Sequence, residues 1–345
     1  MINNKNMKVL VLGAGRMGIR HCLGVLGVRE VTELLIADIN ASALSNAEEQ
    51  LKGKGEKTKV SYHIWEELKK NSPSIDIAII AATAGNRINT CKEVIAMGAK
   101  HILVEKPLGQ SMKQVTELSD FFDSQKEISA YVNLNMRLYS SYQKLKKDLQ
   151  TFPQLKGKLS FSINTGTIGI GANGIHYIDL IKYLSDAVEI KIKYASIDET
   201  LSPSGRGPSF GDFGGTAIME YLSSEQIILA TAQLTLSSTS TVLGPWEITG
   251  PNGRIHIDEF EQVRRNKLRK ADSTLPVQRY AGDYLPIEEE HFEVPFLNQL
   301  TEEWLRELIK GRSILPKLKE SLVVHRAMFE WLEKSSTHKS EFPIT

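Results

Sequence analysis

Up to about residue 130, the chain alternates short apolar runs with segments in which apolar residues recur every three or four positions. The short runs are typical of buried strands and the recurring segments of amphipathic helices, so they predict a parallel sheet built from βαβ units. The predicted strands are Lys8–Leu12, Glu33–Ala37, Lys59–His63, Ile75–Ala81, His101–Val104 and Ile128–Val132. The predicted helices are Arg16–Leu26, Ala41–Lys52, Trp65–Lys70, Asn86–Met97 and Met112–Ser124. This doubly wound α/β arrangement binds ligands at the carboxyl ends of its strands.

After about residue 150, longer alternating runs rich in Ser and Thr predict antiparallel strands with one solvent-exposed face. These strands are Lys158–Asn164, Thr216–Tyr221, Ile227–Thr235 and Thr241–Ile248, and a helix over Ile175–Leu184 interrupts them. Two further helices, Phe296–Lys310 and Leu318–Lys334, are predicted to bury Trp304, Leu305, Leu308, Val324, Met328 and Trp331. The second half of the chain is therefore predicted to be an α+β domain with a large, mostly antiparallel open sheet.

The length and charge of the chain restrict its organisation and its partners. A chain of 345 residues exceeds most single cores, so we predict two domains, over residues 1–130 and 131–345. The formal net charge of +1 gives no reason to expect a nucleic acid or membrane partner, and a small molecule is favoured. No apolar run has the length of a membrane span or a secretory signal, and the only two cysteines, Cys22 and Cys91, lie far apart. These features predict a cytoplasmic protein.

Two further features of the sequence, a basic stretch and the histidines, do not predict a binding site. The basic stretch Val263–Lys270 predicts a solvated strand edge or loop in preference to an anion site, because charged residues commonly protect sheet edges. The eight histidines lack the spacing of metal ligands, so no metal site is predicted.

The most informative segment is Val9–Gly18, an apolar run that opens into three glycines. Gly13 suits a tight turn after the strand, Gly15 allows phosphates to approach bare backbone, and Gly18 allows helix and strand to pack closely. The N-terminus of the following helix would add N–H groups and a partial positive charge. The residues of this turn predicted to bind a dinucleotide cofactor are Gly13, Gly15, Arg16, Met17 and Gly18.

A second apolar run ends in Asp38, about 20 residues after Gly18, which is the separation expected for a carboxylate that binds the ribose hydroxyls. The following residues are Ile39 and Asn40, so a 2′-phosphate would face a carboxylate without a basic neighbour. This favours NAD over NADP. The alternative is that Asp38 caps the helix that begins near Ala41.

The fifth predicted strand ends in Glu105, Lys106 and Pro107, at the sheet edge where catalytic groups are expected. A lysine beside a nicotinamide could stabilise a developing alkoxide or help to remove its proton. Taken alone, Lys106 is better explained as a surface lysine that follows a strand.

Together, the glycine motif, Asp38, the AAT after strand four, the EKP after strand five and the later GIHYIDL resemble the Gfo/Idh/MocA family. This family includes glucose-fructose oxidoreductase and inositol dehydrogenase. The resemblance covers nearly the whole chain. It implies an N-terminal Rossmann domain followed by an α/β domain whose open sheet carries substrate contacts and often subunit contacts.

The resemblance also implies roles for single residues. The family lysine corresponds to Lys106 and the family histidine of a D-x-x-x-H arrangement to His176, so these two are the predicted catalytic residues. The aspartate position of that arrangement holds Ala172, which departs from the family and affects its usual proton relay. Nearby, Asn173 is predicted to border the substrate, and Asp179 either orients the His176 ring or faces the core.

Other predicted contacts follow strands four to six. Thr83 is predicted to touch the nicotinamide ribose or the pyrophosphate, and Glu105 is included with Lys106 in the cofactor site. The resemblance suggests that Asn135 and Arg137 border the substrate pocket, where Arg137 would either bind a carboxylate or phosphate or form a structural ion pair.

The sequence thus predicts an NAD-dependent oxidoreductase that acts on a sugar, a cyclitol or a nucleotide-linked sugar, with NADP the less favoured cofactor. A homo-oligomer, dimer or tetramer, is implied by the resemblance. The alternative is a dinucleotide-binding sensor or assembly protein that lost catalysis together with the aspartate at position 172.

Overall fold

The computed structural model describes residues 6–166, 169–198, 200–203, 210–237, 240, 242–270, 283–335 and 341–344. These residues form two compact units. The first contains the chain up to Leu138 together with Pro295–His325, and the second contains Tyr139–Val294 together with Arg326–Ile344.

The first unit is built on a six-stranded parallel sheet in the order β3-β2-β1-β4-β5-β6. Its strands are β1 (Met7–Leu12), β2 (Val31–Asp38), β3 (Lys59–Ile64), β4 (Ile77–Ile80), β5 (His101–Val104) and β6 (Ser129–Val132). Its first five helices are α1 (Arg16–Leu26), α2 (Ala41–Leu51), α3 (Trp65–Asn71), α4 (Arg87–Ala96) and α5 (Met112–Asp123). The predicted strands and helices of this region are confirmed, with ends that agree to within two residues.

The second unit is built on an eight-stranded sheet in the order β16-β15-β14-β13-β7-β12-β11-β8. Its neighbouring strands run antiparallel except β7 and β12, which are parallel. The strands of this sheet are β7 (Leu159–Gly166), β8 (Glu189–Ile197), β11 (Gly215–Leu222), β12 (Ile228–Ser237), β13 (Trp246–Gly250), β14 (Gly253–Asp258), β15 (Val263–Leu268) and β16 (Glu288–His291). The short strands β9 (Ser202–Pro203) and β10 (Gly211–Asp212) pair separately, and the helices are α6 (Ser140–Thr151) and α7 (Ile175–Ser185). The predicted fold class is confirmed.

The last two helices, α8 (Leu297–Ile309) and α9 (Leu318–Leu332), make the division of the chain differ from the predicted 1–130 and 131–345. Helix α8 packs against α1 so closely that a Cβ on Gly24 would lie 2.3 Å from the carbonyl oxygen of Asn298. The first unit is therefore completed by residues that follow the first and longer segment of the second unit in sequence. The apolar residues of these helices predicted to be in the core are all buried.

Some elements of the second unit differ from the predictions. Helix α6 was not predicted, although its buried Tyr142, Leu145 and Leu149 have helical spacing. Strands β8, β14 and β16 were also not predicted. The strand predicted from Thr241 begins only at Trp246, and Thr241 itself lies outside the described residues.

The basic stretch is not the solvated edge or loop that was predicted. It forms β15, which lies between β14 and the edge strand β16, and the side chain of Arg264 is buried. Arg264 pairs with Asp148 of α6 at 2.7 Å, and Arg265 pairs with Glu289 of β16 at 2.7 Å. The acidic strand β16 therefore neutralises part of the positive charge of the basic strand β15. None of the helices in the described ranges is long and apolar enough to cross a membrane.

Candidate active site

The turn between β1 and α1 requires glycine at two of its three glycine positions. Gly13 has a φ of +105°, and a Cβ built on it would lie 2.7 Å from the backbone nitrogen of Ala82. A Cβ on Gly18 would lie 1.7 Å from the carbonyl oxygen of Gly13. Neither position has room for a larger side chain, because helix, strand and turn meet there through their backbones.

The third glycine of the turn has an open environment. Gly15 is exposed and precedes α1 without a side-chain cap, and a Cβ built on it would meet no heavy atom within 4 Å. Arg16 is exposed and Met17 is half-buried in the first helical turn. The open space lies at a helix N-terminus, where backbone N–H groups and the helix dipole favour an anion. These residues fit a dinucleotide pyrophosphate.

The structure brings Asp38, at the end of β2, to the same turn. One carboxylate oxygen of Asp38 accepts a hydrogen bond from the backbone N–H of Ala14 at 2.6 Å, and the other accepts one from Asn40 at 2.9 Å. The cap of α2 is instead the side chain of Asn40, which accepts a hydrogen bond from the backbone N–H of Ser42. The alternative that Asp38 serves only as the cap of α2 is therefore wrong. The neighbouring Ile39 is 80% exposed, an uncommon position for an isoleucine.

The segment after β4 lies beside the glycine turn, since Ala81 donates its backbone N–H to the carbonyl oxygen of Leu12. Thr83 is exposed and precedes a short 3₁₀ turn over Ala84–Asn86. Arg87 is the first residue of α4, is buried, and donates to the carbonyl oxygen of Ile80 at 3.3 Å. Arg87 is thus the first residue of the helix predicted over Asn86–Met97, and Thr83 remains available to a ligand.

At the end of β5, Glu105 is completely buried. One of its carboxylate oxygens accepts hydrogen bonds from His21 of α1 at 2.9 Å and from the side-chain amide of Asn133 at 2.7 Å. The other accepts a hydrogen bond from the backbone N–H of Lys106 at 3.2 Å. Glu105 is inaccessible to a ligand, which differs from its predicted place in the cofactor site. Its contacts support the residue that follows it.

The charge of Glu105 is stabilised within this network. Burial alone would raise the pKa of the Glu105 carboxyl group, but the hydrogen bond from His21 and the positive charges of His21 and Lys106 outweigh burial and lower it to about 2. Glu105 is therefore ionised at neutral pH. Lys106 is only 8% exposed, which excludes the alternative of an ordinary surface lysine.

The remaining predicted residue positions of the first unit follow β6. Asn135 and Arg137 belong to a 3₁₀ turn over Asn135–Leu138, with Asn135 half-buried and Arg137 buried. The first unit thus carries the predicted lysine, both predicted substrate residues of this turn and the complete glycine turn.

The second unit carries His176 near the start of α7, preceded by a π-helical turn over Ile170–Gly174. His176 is buried, Asn173 is exposed, and Asp179 is buried one turn after His176. Two neighbouring residues of the π-helical turn, Gly171 and Ala172, donate their backbone N–H groups to a carboxylate that the sequence analysis missed. That Lys106 and His176 approach one substrate stays a prediction.

The missed carboxylate is Asp212 of β10. Its oxygens accept hydrogen bonds from the backbone N–H groups of Gly171 at 3.0 Å, Ala172 at 2.6 Å and Phe213 at 2.8 Å. Asp212 therefore stabilises the chain at the start of the His176 helix. No local motif could have identified it, because Asp212 is 40 positions from Ala172 in sequence.

A second missed group is Glu259, whose two carboxylate oxygens accept the hydroxyls of Tyr142 and Tyr177. The indole of Trp246 packs edge-on against both tyrosine rings, at centroid distances of 5.8 and 6.4 Å. Burial raises the pKa of Glu259, although the two tyrosine hydroxyls act in the opposite direction. Tyr177 directly follows His176 in α7, so its contacts with Glu259 and Trp246 help to fix the position of this helix. Within the described ranges, no three His, Cys, Asp or Glu residues are grouped as metal ligands.

Comparison with known proteins gives a family for part of the chain and a fold for all of it. Residues 7–134 match GFO_IDH_MocA, described as an oxidoreductase family with an NAD-binding Rossmann fold. This match confirms the resemblance and the cofactor class that the motifs predict. No curated protein matches the chain in sequence.

Several solved structures are similar over nearly the whole chain. An NAD binding oxidoreductase from Klebsiella pneumoniae has a TM-score of 0.70 and 14% identity, covering 97% of this chain and 98% of that chain. Scyllo-inositol dehydrogenase from Lactobacillus casei, with bound NAD(H) and scyllo-inositol, has a TM-score of 0.65 and 15% identity, covering 97% and 98%. The transcriptional regulator Gal80p from Kluyveromyces lactis has a TM-score of 0.70 and 11% identity, covering 99% and 96%. At these identities the likeness extends to the fold alone.

Proposed function

We propose that this chain, whose residues 7–134 match the Gfo/Idh/MocA oxidoreductase family, is an NAD-dependent dehydrogenase or reductase acting on a CH–OH carbon. The substrate class is a sugar, a cyclitol or a nucleotide-linked sugar. The observation that carries the proposal is the position of Lys106, a buried lysine directly after β5 in a unit that also holds an open, glycine-lined helix N-terminus.

In the proposed complex, Gly13, Gly15 and Gly18 form the pyrophosphate cradle, while Asp38 accepts hydrogen bonds from the adenosine ribose hydroxyls. Asp38 has no adjacent basic residue that could receive a 2′-phosphate, so NAD is preferred to NADP. The exposed Ile39 offers an apolar surface for the adenine ring. Thr83 and the first turn of α1, with Arg16 and Met17, border the rest of the cofactor.

The bound nicotinamide would accept a hydride from the substrate carbon, or return one in the reverse direction. The residues of the chain manage the proton. In the oxidation direction, the Lys106 ammonium stabilises the alkoxide that develops on the substrate oxygen, while the His176 imidazole accepts the hydroxyl proton. Reduction reverses both roles. Asn135, Arg137 and Asn173 are proposed to contact the rest of the substrate.

The test is a single-turnover measurement with the purified protein, NAD and a panel of hexoses, inositols and nucleotide sugars. An oxidoreductase gives an increase in nicotinamide absorbance with at least one member of the panel. The reverse experiment uses NADH with the corresponding keto compounds. Tight NAD binding without an absorbance change in either direction would contradict the proposal.

A second candidate is a dinucleotide-binding sensor or assembly protein without catalysis. Two observations favour it: Ala172 stands where the family resemblance places an aspartate, and a transcriptional regulator is among the proteins with a similar fold. A sensor would bind NAD and change its oligomeric state or stability without turning over any substrate. The same single-turnover experiment separates the two candidates.

We also propose that the chain forms a homo-oligomer through the sheet of the second unit. The alternating strands β7, β11 and β12 place mainly polar side chains on the face opposite the buried one, among them Ser160, Thr216 and Gln233, together with the exposed Ile218. Sedimentation velocity is expected to give a dimer or tetramer. A monomer at micromolar concentration would contradict this part of the proposal.

A further inference from the structure

We propose that two buried histidines fix the backbone on either side of Lys106 in sequence, His21 by donating hydrogen bonds from both ring nitrogens and His325 by accepting one from a backbone N–H. This inference rests on the proposed role of Lys106 and names the residues that position it. Neither histidine belongs to the sites predicted from the sequence, and both lie in the first unit.

The partners of His21 determine where its protons are. The Nε2 atom lies 2.9 Å from an oxygen of Glu105, and an ionised carboxylate can only accept, so Nε2 carries a proton. The Nδ1 atom lies 2.8 Å from the hydroxyl oxygen of Thr301 in α8. That hydroxyl donates its single hydrogen to the carbonyl oxygen of Leu297, so it accepts from Nδ1. Both ring nitrogens therefore donate, and the imidazolium neutralises the buried Glu105 carboxylate.

His325 has the opposite arrangement. Its Nδ1 atom lies 2.9 Å from the carbonyl oxygen of Ser321, which can only accept, so the ring proton is on Nδ1. The Nε2 atom then accepts the backbone N–H of Leu108 at 3.2 Å. Burial lowers the pKa of His325 to about 4, and the positive charges of Arg87 and Lys106 act in the same direction. His325 is neutral, as an acceptor must be.

These two contacts account for every backbone donor around the lysine. The segment from Lys106 to Leu108 has two backbone N–H groups, because Pro107 has none. The first is held by Glu105, whose carboxylate His21 orients, and the second is held by His325. The backbone on both sides of the Lys106 side chain is thus fixed. Because a displacement of about 1 Å can reduce turnover roughly 10²-fold, these contacts matter for a reacting group.

The different proton states predict different tolerance to glutamine, a neutral residue with one donor and one acceptor end. In His325→Gln, the amide can donate to Ser321 and accept from Leu108, so the arrangement is retained. His325→Leu keeps a similar volume but removes both the donor to Ser321 and the acceptor for Leu108. In His21→Gln, the side chain cannot neutralise Glu105, so the arrangement is lost. Glutamine should therefore replace His325 but not His21.

The first experiment locates the protons by ¹⁵N NMR of the full-length protein labelled at histidine, at pH 7. We expect two protonated ring nitrogens for His21, and one protonated and one bare nitrogen for His325. The signals are assigned with the glutamine variants. If His21→Gln does not fold, Thr301→Val replaces it: this variant removes the acceptor of Nδ1, and its His21 ring should show one bare nitrogen. A bare nitrogen on His21 of the unmodified protein would overturn the assignment.

The second experiment measures amide hydrogen exchange at Lys106 and Leu108, together with kcat and the NAD dissociation constant. We expect faster exchange at Leu108 and a roughly 10-fold or greater loss of kcat in His325→Leu, with both restored in His325→Gln and NAD affinity unchanged. His21→Gln, or Thr301→Val, should speed exchange at Lys106. The matched control is His101→Gln at the opposite end of β5. This variant should change neither amide exchange at Lys106 and Leu108 nor kcat.

The outcomes separate this inference from the proposed function. Wild-type exchange and turnover in His325→Leu would overturn the role of His325, and unchanged exchange at Lys106 in the His21 and Thr301 variants would overturn that of His21. If no substrate is ever turned over but the proton assignments and exchange rates agree with expectation, the two contacts stand and the oxidoreductase proposal fails.

Discussion

The three glycines of the β1–α1 turn are glycine for different physical reasons. Gly13 and Gly18 are required by the packing of the protein itself, since a Cβ at either would overlap the backbone. Gly15 has open space around it, so nothing in the folded chain requires glycine there. What remains is the ligand, which would occupy the space into which a side chain would project.

Gly15→Ala is therefore expected to fold with an unchanged melting temperature but to bind NAD about 10-fold more weakly or worse, because its Cβ competes with the pyrophosphate. Isothermal titration and thermal unfolding measure the two properties separately. Gly18→Ala is the matched comparison, since its Cβ would overlap the carbonyl oxygen of Gly13, and it should lose stability. Normal NAD affinity in Gly15→Ala would show that the phosphates lie elsewhere.

Lys106→Ala should lower kcat by roughly 10²-fold or more while the NAD dissociation constant changes little, because the ammonium acts on the developing alkoxide. Lys113→Ala, at an exposed position of α5, is the control. Steady-state kinetics with the best substrate of the panel, together with NAD titration, checks the expectation. A variant with near-normal turnover would remove Lys106 from the chemistry.

Glu105 is expected to make stability depend on pH. Its pKa is lowered to about 2 in the folded chain from the ordinary value of 4.5, so between these values the unfolded chain binds more protons. The stabilisation by Glu105 is complete above pH 4.5 and is lost as the pH falls towards 2. Glu105→Gln should be less stable than the unmodified protein by about 3–5 kcal/mol at pH 7, because it leaves a buried cation without its partner.

Comparing Glu105→Gln with the unmodified protein at lower pH tests the direction of this pH dependence. Urea unfolding of both proteins between about pH 7 and about pH 2.5 should show their difference in the free energy of unfolding shrinking as the pH falls below 4.5. Glu259→Gln should behave in the opposite way, because burial raises the pKa of Glu259. The contribution of Glu259 to the free energy of unfolding therefore weakens as the pH rises above 4.5. A difference for Glu105→Gln that stays constant with pH would contradict the ion pair.

At the scale of elements, local pattern predicted the first unit well because each of its strands and helices is a short, uniform segment with its own turn signal. His101–Val104 and Arg16–Leu26 were predicted with the bounds that the structure shows. The second unit depends more on pairing between distant segments. Helix α6 had the necessary spacing and could have been predicted, whereas the burial of Arg264 depends on Asp148, which is far away in sequence.

That pairing gives a prediction for β15. Arg264→Met breaks a buried ion pair with Asp148 and should reduce the free energy of unfolding by about 3 kcal/mol. Arg265→Met removes the neighbouring pair with Glu289, in which both side chains are exposed, and should reduce the free energy of unfolding much less than Arg264→Met does. Urea unfolding of the two variants measures the contrast, and equal losses would show that burial of Arg264 adds nothing.

At the scale of the whole molecule, the site could be predicted in part. The glycine turn, Asp38 and Lys106 have local motifs, so sequence alone could select them as candidates. Four other residues act through partners far away in sequence, and no spacing rule connects them: His21, Asp212, Glu259 and His325. The division into units also escaped prediction, because residues 295–325 belong to the first unit although they lie between the two segments of the second.

A fragment containing residues 1–138 should therefore fail to form a stable domain, although it contains the entire parallel sheet. It lacks α8, whose Trp304 is buried against Tyr131, and the Pro316 carbonyl that accepts the backbone N–H of Val132. A single polypeptide in which a flexible linker joins residues 1–138 to 295–325 should unfold cooperatively. Circular dichroism during heating compares the two, and cooperative unfolding of the shorter fragment would show that α8 is dispensable.

The late return of α8 has a consequence for biosynthesis. When a ribosome has made the parallel sheet, the residues that cover α1 and complete the contacts of His21 are still untranslated. At about 5–20 residues per second, the interval between Leu138 and His325 lasts roughly 10–40 s. During that time the nascent chain exposes the apolar surface that Trp304 and Leu305 later cover, which is the kind of surface that molecular chaperones bind.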